Sequence, residues 1–375
     1  MTQEPIRVLI VNGKMICGGI ESFIMNIYRH IDRTKLQFDF LVHYKQRFFY
    51  DDEIERLGGK IHRLTFRNDN NFFKYKKDLA NFFRSHPEYQ IVWGQMEGLA
   101  SIYLKAAKKA GVKTTIAHSH ITSAEKSLKG LVKRFLRRNV YKYADYRFAC
   151  STEAGKYLFK NHDFTLIPNA IDTQRFAYNE AVRTRIREEK GWTDKFVVGH
   201  IGRFNEQKNH RYLIEIFDEY HKLNANSALC LCGDGELMPE IKKLVESKGL
   251  TENVCFTGNI PNVNEFYQAF DYFVMPSLYE GLPVSGVEAQ TSGLPCLFAD
   301  TITREVALLP DRTSFLSIKQ SPAIWAEQIK MNESLERWDC FSCVKQQGYD
   351  LSTLAKKIEI MFEGNEYHEF EKPKQ

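Results

Sequence analysis

A chain of 375 residues, 43% of them hydrophobic, has more apolar material than one core needs, and two domains are expected. The formal charge of +5 hides a split: residues 1–171 hold 29 Lys and Arg against 16 Asp and Glu, whereas residues 172–375 hold 23 against 31. The acidic second half would repel a polyanion and no nucleic-acid motif accompanies the basic first half, so nucleic acid is not an expected partner.

The run "IRVLIV" at 6–11 predicts a buried parallel strand, followed by a turn at Gly18 and Gly19 and a helix over about residues 20–31. The glycine pair allows a phosphate close to the helix start, although the same pair also serves as a plain tight turn. Further strands are expected at 37–43, 90–93, 113–117, 146–150 and 164–167 with helical patterns between them, an alternation that means a parallel sheet covered on both faces. "TTIAHSHIT" puts His118 at a strand end and His120 two residues on, so both can reach the carboxyl edge where such sheets bind ligands; a structural histidine fits the same pattern. Residues 126–142 then place Leu128, Leu131, Val132, Phe135 and Leu136 on one helical face against a basic one. Lys129, Lys133, Arg134, Arg137 and Arg138 would meet an anionic membrane surface, the alternative being a core-packed helix with a solvated basic face.

Pro168, Asn169 and Asp172 punctuate the chain before a second alternation, with strands at 196–201, 227–232, 253–256, 272–275 and 295–298. In "GRFNEQKN" Gly202 ends a strand, Arg203 offers a planar fork and Lys208 a point charge at a helix start. A helix start is the unfavourable end for a cation, which implies an anionic partner there. In "CGDGEL", Gly233 and Gly235 shape a turn, and Asp234 serves either as the cap of the next helix or as a ligand contact. Then comes "EGLPVSGVE", in which Gly281 lets the chain bend and Pro283 suits the first turn of a helix. Glu280 precedes that helix, Glu288 lies one to two turns inside it, and free N–H groups at its start would attract a phosphate. That spacing matches the two ends of a nucleotide sugar, with a hexose at Glu280 and a ribose at Glu288; two solvated carboxylates fit it as well.

Eight cysteines form no disulfide ladder and reduced thiols are expected; Cys340 and Cys343 have metal-ligand spacing but no second pair, so zinc is not. The apolar run Val8 to Val11 is too short for a signal-peptide core and no segment supplies about eighteen apolar residues, so the chain is expected to be cytoplasmic. A last helix is expected over about residues 351–362, followed by a tail.

The segment 280–295, "EGLPVSGVEAQTSGLP", resembles the Glu-x7-Glu motif of family 4 glycosyltransferases, retaining enzymes of the GT-B fold that use nucleotide-sugar donors. "GGIESFIMNI", "FTLIPNAIDTQRF", "VVGHIGRFNEQKN", "LCGDGEL" and "FDYFVMPSLYEGLP" fall in the family's order and extend the resemblance over almost the whole chain, with bacterial capsular and exopolysaccharide enzymes as the nearest type. Ala170 departs from the family's usual glycine.

The resemblance implies an α/β protein of two Rossmann-like domains facing each other across a cleft. Residues 1–171 would hold the acceptor and 172–345 the donor, and residues 346–375 would supply a helix packing back on the first domain. It implies that Arg203 and Lys208 bind the diphosphate and that Gly18 and Gly19 lie against it. Gly233, Asp234, Gly258 and Asn259 would border the nucleotide, with Gly281, Leu282, Pro283 and Glu288 along the donor. Glu280 would read sugar hydroxyls, and a histidine, His118 by preference and His120 as alternate, would stand near the transferred sugar. The expected reaction moves a hexose from a UDP-sugar or other nucleotide sugar to a saccharide or lipid-linked acceptor, peripherally at the membrane. No cofactor or metal is expected, since "FDF" around Asp39 lacks the second acid of an Asp-x-Asp site. A nucleotide-sugar 2-epimerase, which shares the fold but lacks this Glu-x7-Glu spacing, and a non-catalytic donor-binding membrane scaffold are the alternatives.

Overall fold

Apolar runs become strands buried on both faces: Val8, Leu9, Ile10 and Val11 of β1 (Ile6–Val11) have no exposed surface at all. The structure, a computed structural model, describes residues 4–120, 137 and 139–364. Two units emerge: unit 1 runs as far as Ala170 and includes the C-terminal helix Leu351–Gly364, and unit 2 runs from Ile171 to Asp350. No helix among the described residues is long and apolar enough to cross a membrane.

In unit 1, β1 is joined by β2 (Leu36–Val42), β3 (Ile61–Arg63), β4 (Ile91–Gly94), β5 (Thr114–Ser119), β6 (Tyr146–Ala149) and β7 (Thr165–Leu166). All neighbours pair in parallel, in the order β3-β2-β1-β4-β5-β6-β7. The principal helices are α1 (Gly19–His30), α2 (Phe72–Ser85), α3 (Ala100–Lys109) and α4 (Thr152–Phe159). Leu354, Ala355, Ile358 and Met361 of the C-terminal helix are buried in the same core as β1 and α1. Phe362 reaches Trp93 at 5.7 Å, and Glu359 accepts the Asp32 N–H. Ala170 is buried in this core without a positive φ, so its site needs none of the glycine's freedom. Asp39 is structural: it pairs with Arg7 at 2.6 Å and accepts from Tyr89 at 2.8 Å and from the Lys60 N–H at 2.6 Å.

Unit 2 repeats the plan with β8 (Phe196–Ile201), β9 (Ser227–Cys232), β10 (Val254–Gly258), β11 (Tyr272–Met275), β12 (Cys296–Ala299) and β13 (Thr313–Leu316). They form a parallel sheet ordered β10-β9-β8-β11-β12-β13, with helices α5 (Glu180–Lys190), α6 (His210–Leu223), α7 (Met238–Ser247), α8 (Val284–Thr291) and α9 (Pro322–Met331). Two strands escaped the sequence reading, β3 and β13, both at sheet edges and only half-buried. None of the eight cysteines forms a disulfide.

Candidate active site

Strand order in unit 2 reverses between β8 and β11, and the loops leaving their carboxyl ends carry the charges. After Gly202 and Arg203 comes a short 3₁₀ turn, Glu206–Lys208, capped by the Asn205 side chain, which accepts the Lys208 N–H at 3.2 Å. Asn209, left-handed at φ 56°, turns the chain into α6 and donates its side-chain amide to the Pro276 carbonyl at 3.1 Å. The Leu278 N–H donates to the Gln207 carbonyl at 2.8 Å and Gln207 Nε2 to the Tyr279 carbonyl at 3.0 Å, stitching this loop to the one after β11. The stitching brings the Lys208 ammonium 2.7 Å from Glu280 Oε1, with the two side chains only 15% and 10% exposed. Glu280 is therefore the anion beside the helix-start cation in the free protein. The approach is close enough for an ion pair but misses hydrogen-bond geometry, so this oxygen is a buried acceptor still open to a ligand hydroxyl. Arg203 is 70% exposed and pairs with Glu236 at 3.2 Å, a contact too solvated to fix the guanidinium.

The "GDG" turn is needed first for packing. A Cβ on Gly233 would stand 2.1 Å from the Gly202 carbonyl oxygen, and one on Gly235 would stand 2.4 Å from that of Phe204. Gly202 N–H to Cys232 O, Phe204 N–H to Asp234 O and Gly233 N–H to Gly258 O, each at 3.0 Å, join the loops after β8, β9 and β10. Gly258 serves that junction at φ 67°, with Asn259 exposed beside it. Asp234 does not cap α7: its carboxylate accepts the Gly235 N–H at 2.7 Å, and the helix opens later, after Leu237. Gly233→Ala is expected to destabilise unit 2 by on the order of 2 kcal/mol or more, read as a lower denaturant midpoint, because backbone rather than a movable side chain meets the new methyl.

After β11, Gly281 is not among the positive-φ glycines, and the Leu282 side chain enters the unit 2 core, leaving only its backbone for a ligand. Pro283 stands one position before α8 at φ −73° instead of inside its first turn, and no side chain among the described residues caps the free N–H groups there. Glu288 lies roughly 6 Å along the helix from Val284. It is half-buried and accepts the Tyr267 hydroxyl at 2.7 Å. Burial raises its carboxyl to about 7, against the opposing pull of Tyr267, Arg175 and Lys208.

Sequence reading missed Tyr267, which no spacing links to Glu288, and Ser277, whose buried hydroxyl at the end of β11 has no partner among the described residues. It also missed His200 and His210, buried close to Lys208 and held neutral by burial at about 4 and about 2.

In unit 1 the order reverses between β1 and β4. Gly18 is the extended residue before α1, Gly19 is exposed, and a Cβ on Gly19 would meet open space, so a ligand can approach this backbone closely. Glu21, unnoticed in the sequence, takes the Asn12 side-chain amide at 3.1 Å in the first turn of α1, and burial raises its carboxyl above the usual range. His118 is 1% exposed among Phe23, Trp93 and Phe148, with neither ring nitrogen partnered among the described residues and burial holding it well below its usual pKa. His120, its ring 4.0 Å away, is half-buried at the carboxyl edge; Nε2 is 2.7 Å from Gln95 Oε1 and the His120 backbone N–H donates to Glu97 Oε1 at 2.9 Å. Exposure thus favours His120, against the sequence preference for His118.

Arg137 corrects the membrane-surface reading at its own position. Its side chain is 11% exposed, 3.4 Å from Glu97, and its guanidinium lies 4.9 Å from the Tyr157 ring. Lys129, Lys133, Arg134 and Arg138 lie outside the described residues. Among the described residues no group of three or more His, Cys, Asp or Glu could hold a metal ion.

Two doubly wound parallel sheets with polar residues at their carboxyl edges, one carrying a cation–carboxylate pair before an uncapped helix, define an α/β protein of the GT-B class. Family descriptions agree: "Glycosyl transferases group 1" matches residues 182–336 and "Glycosyltransferase Family 4" residues 17–175. The chain belongs to the family 4 glycosyltransferases. It is 34% identical over 338 residues to the putative glycosyltransferase EpsF of Bacillus subtilis, covering 88% of each chain. It is 28% identical to the UDP-Gal:alpha-D-GlcNAc-diphosphoundecaprenol alpha-1,3-galactosyltransferase of Escherichia coli, over 80% of each chain. Anabaena HepE in complex with UDP shares the fold at a TM-score of 0.78 and 17% identity, over 96% of this chain and 100% of that one.

Proposed function

We propose that this glycosyltransferase moves a hexose from a UDP-sugar to a saccharide or lipid-linked acceptor in surface polysaccharide synthesis, retaining configuration and using no metal ion. The observation that carries the reading is the Lys208–Glu280 pair, 2.7 Å apart at the switch point of unit 2. A diphosphate competes with Glu280 for the Lys208 ammonium, and Arg203, loosely held, swings to the same charge. Glu280, released, accepts from the hydroxyls of the hexose. The acceptor oxygen attacks the anomeric carbon on the face from which the diphosphate leaves. The carbon–phosphate oxygen bond breaks, the new glycosidic bond forms, and the acceptor proton passes to the departing phosphate oxygen. His120, neutral at the edge of unit 1, is the histidine assigned to the transferred sugar.

Incubation with UDP-hexoses and a lipid-linked saccharide, with the product anomer read by NMR and a chelator in a parallel reaction, tests each part. An axial-to-axial transfer indifferent to the chelator is expected. Isomerised donor without transfer would replace this reading by an epimerase, and UDP-sugar binding with no turnover by a scaffold.

Glu288 gives the donor site a pH dependence. Ribose hydroxyls donate to a carboxylate, so the ionised form is the binding form, and the free protein reaches it as pH rises through about 7. Donor affinity is therefore expected to rise between roughly pH 6 and 8, and calorimetry on Glu288→Gln should find it flat and weaker. The linkage for folding has the opposite sign. A carboxyl raised in the folded state makes folding less favourable as pH climbs from the unfolded value of 4.5 toward 7. Glu288→Gln should accordingly melt higher than wild type at pH 8. A variant that keeps the pH slope in donor binding would remove Glu288 from this role.

A further inference from the structure

Unit 1 has a second concave feature, set in its helical layer: a groove of about 740 Å³ between α2 and α3, within the roughly 300–1,000 Å³ of small-molecule sites. Lys76, Ala80 and Arg84 come from α2 at successive turns, and Ile102, Lys105, Ala106 and Lys109 from one stripe of α3. The floor is apolar, and among the described residues the rim carries four cations and no acid. Neighbouring Lys74 and Lys108 are paired with Asp78 and Asp145, whereas none of Lys76, Arg84 and Lys109 has a carboxylate partner among the described residues. Lys105 stands 5.4 Å over the Tyr143 ring. The same stripe of α2 continues back to Phe73, which is 86% exposed, while Tyr75, Leu79, Phe82 and Phe83 anchor the opposite face in the core.

We infer that this groove docks unit 1 on an anionic phospholipid surface, with the phosphate headgroup held by Lys76, Arg84 and Lys109, acyl methylenes on Ala80, Ile102 and Ala106, and Phe73 at the interface. A nucleic acid would use the cations and leave the apolar floor and Phe73 unused. A free phosphate would likewise gain nothing from Phe73. An anionic lipid satisfies charge, floor and exposed ring together. None of the groove's described lining residues is among those assigned to transfer, so it positions the enzyme and takes no part in the reaction. The inference goes beyond the transfer reading and is measured without donor, so either can fail while the other stands.

Co-sedimentation of the full chain with vesicles of phosphatidylglycerol and phosphatidylcholine, and with phosphatidylcholine alone, tests it. Binding is expected only to the anionic vesicles and to weaken with salt. Lys76→Ala/Arg84→Ala/Lys109→Ala should lose about fivefold for each charge removed. Phe73→Ser should weaken binding further, with UDP-induced thermal shifts unchanged in both variants. Lys129→Ala/Lys133→Ala/Arg134→Ala, the competing basic segment, should bind nearly as wild type. Wild-type binding by the α2–α3 variant, loss confined to the 129/133/134 variant, or equal binding of an RNA homopolymer indifferent to Phe73→Ser would each overturn the inference.

Discussion

Glu280→Ala is expected to lower kcat by roughly 100- to 1,000-fold while tightening the binding of UDP alone. The two effects come from one geometry. In the proposed reaction the carboxylate that accepts from the hexose is also the resting partner of Lys208, 2.7 Å away, and neither side chain is more than 15% exposed. Removing it leaves a shielded ammonium without its anion, and a diphosphate then meets less competition. The sugar loses its acceptor at the same time, so the hexose is misplaced at the reacting carbon and turnover falls. Steady-state kinetics with calorimetry on UDP separates these effects. Unchanged turnover would take Glu280 out of the mechanism, and weaker UDP binding would mean that the carboxylate does not compete for Lys208. A nucleophilic role would call for a second carboxylate about 5 Å away, and the sequence offers no obvious one.

Lys208→Ala should be of similar size and opposite in its binding signature, with kcat/KM down roughly 100- to 1,000-fold and UDP affinity weakened. The substitution strands Glu280 in a poorly hydrated position at a cost of roughly 1–3 kcal/mol. Lys208→Met/Glu280→Gln, which removes both charges, should recover that stability without recovering activity. If the double variant melts no higher than Lys208→Ala, the ion pair is not what the single change disturbs. Arg203→Ala should cost less in stability than either, since Arg203 is 70% exposed and its Glu236 contact is solvated.

What was legible in the chain follows from how far each signal reaches. "IRVLIV" and "SALCLC" announced β1 and β9 because a strand buried on both faces has to be apolar throughout. "IHR" and "TSFL" announced nothing, because an edge strand of three or four half-buried residues needs no apolar run. Lys208 and Glu280 were each conspicuous, yet their pairing depends on hydrogen bonds between loops some seventy positions apart, such as Leu278 N–H to Gln207 O at 2.8 Å. The histidines show a finer limit. Alternation with period two says that His118 and His120 share a face, but only the finished sheet reveals that one step along the strand separates an aromatic core from the open edge. Arg137 failed similarly: a helical stripe tells which residues share a side, and here the charged residue is pinned inward by Glu97 and Tyr157.

The C-terminal helix gives unit 1 an order of assembly. Unit 1 is made from both ends of the chain, and the Asp32 N–H meets Glu359 across 327 positions of sequence. A ribosome delivers β1 and α1 early, yet the helix that covers them emerges only after all of unit 2 has been made, roughly ten seconds or more later. Unit 2, continuous from Ile171 to Asp350, can close as soon as it is synthesised. The nascent chain therefore completes unit 2 first and keeps an apolar face of α1 uncovered until the helix Leu351–Gly364 arrives, an interval in which chaperones matter more than they would for two consecutive domains.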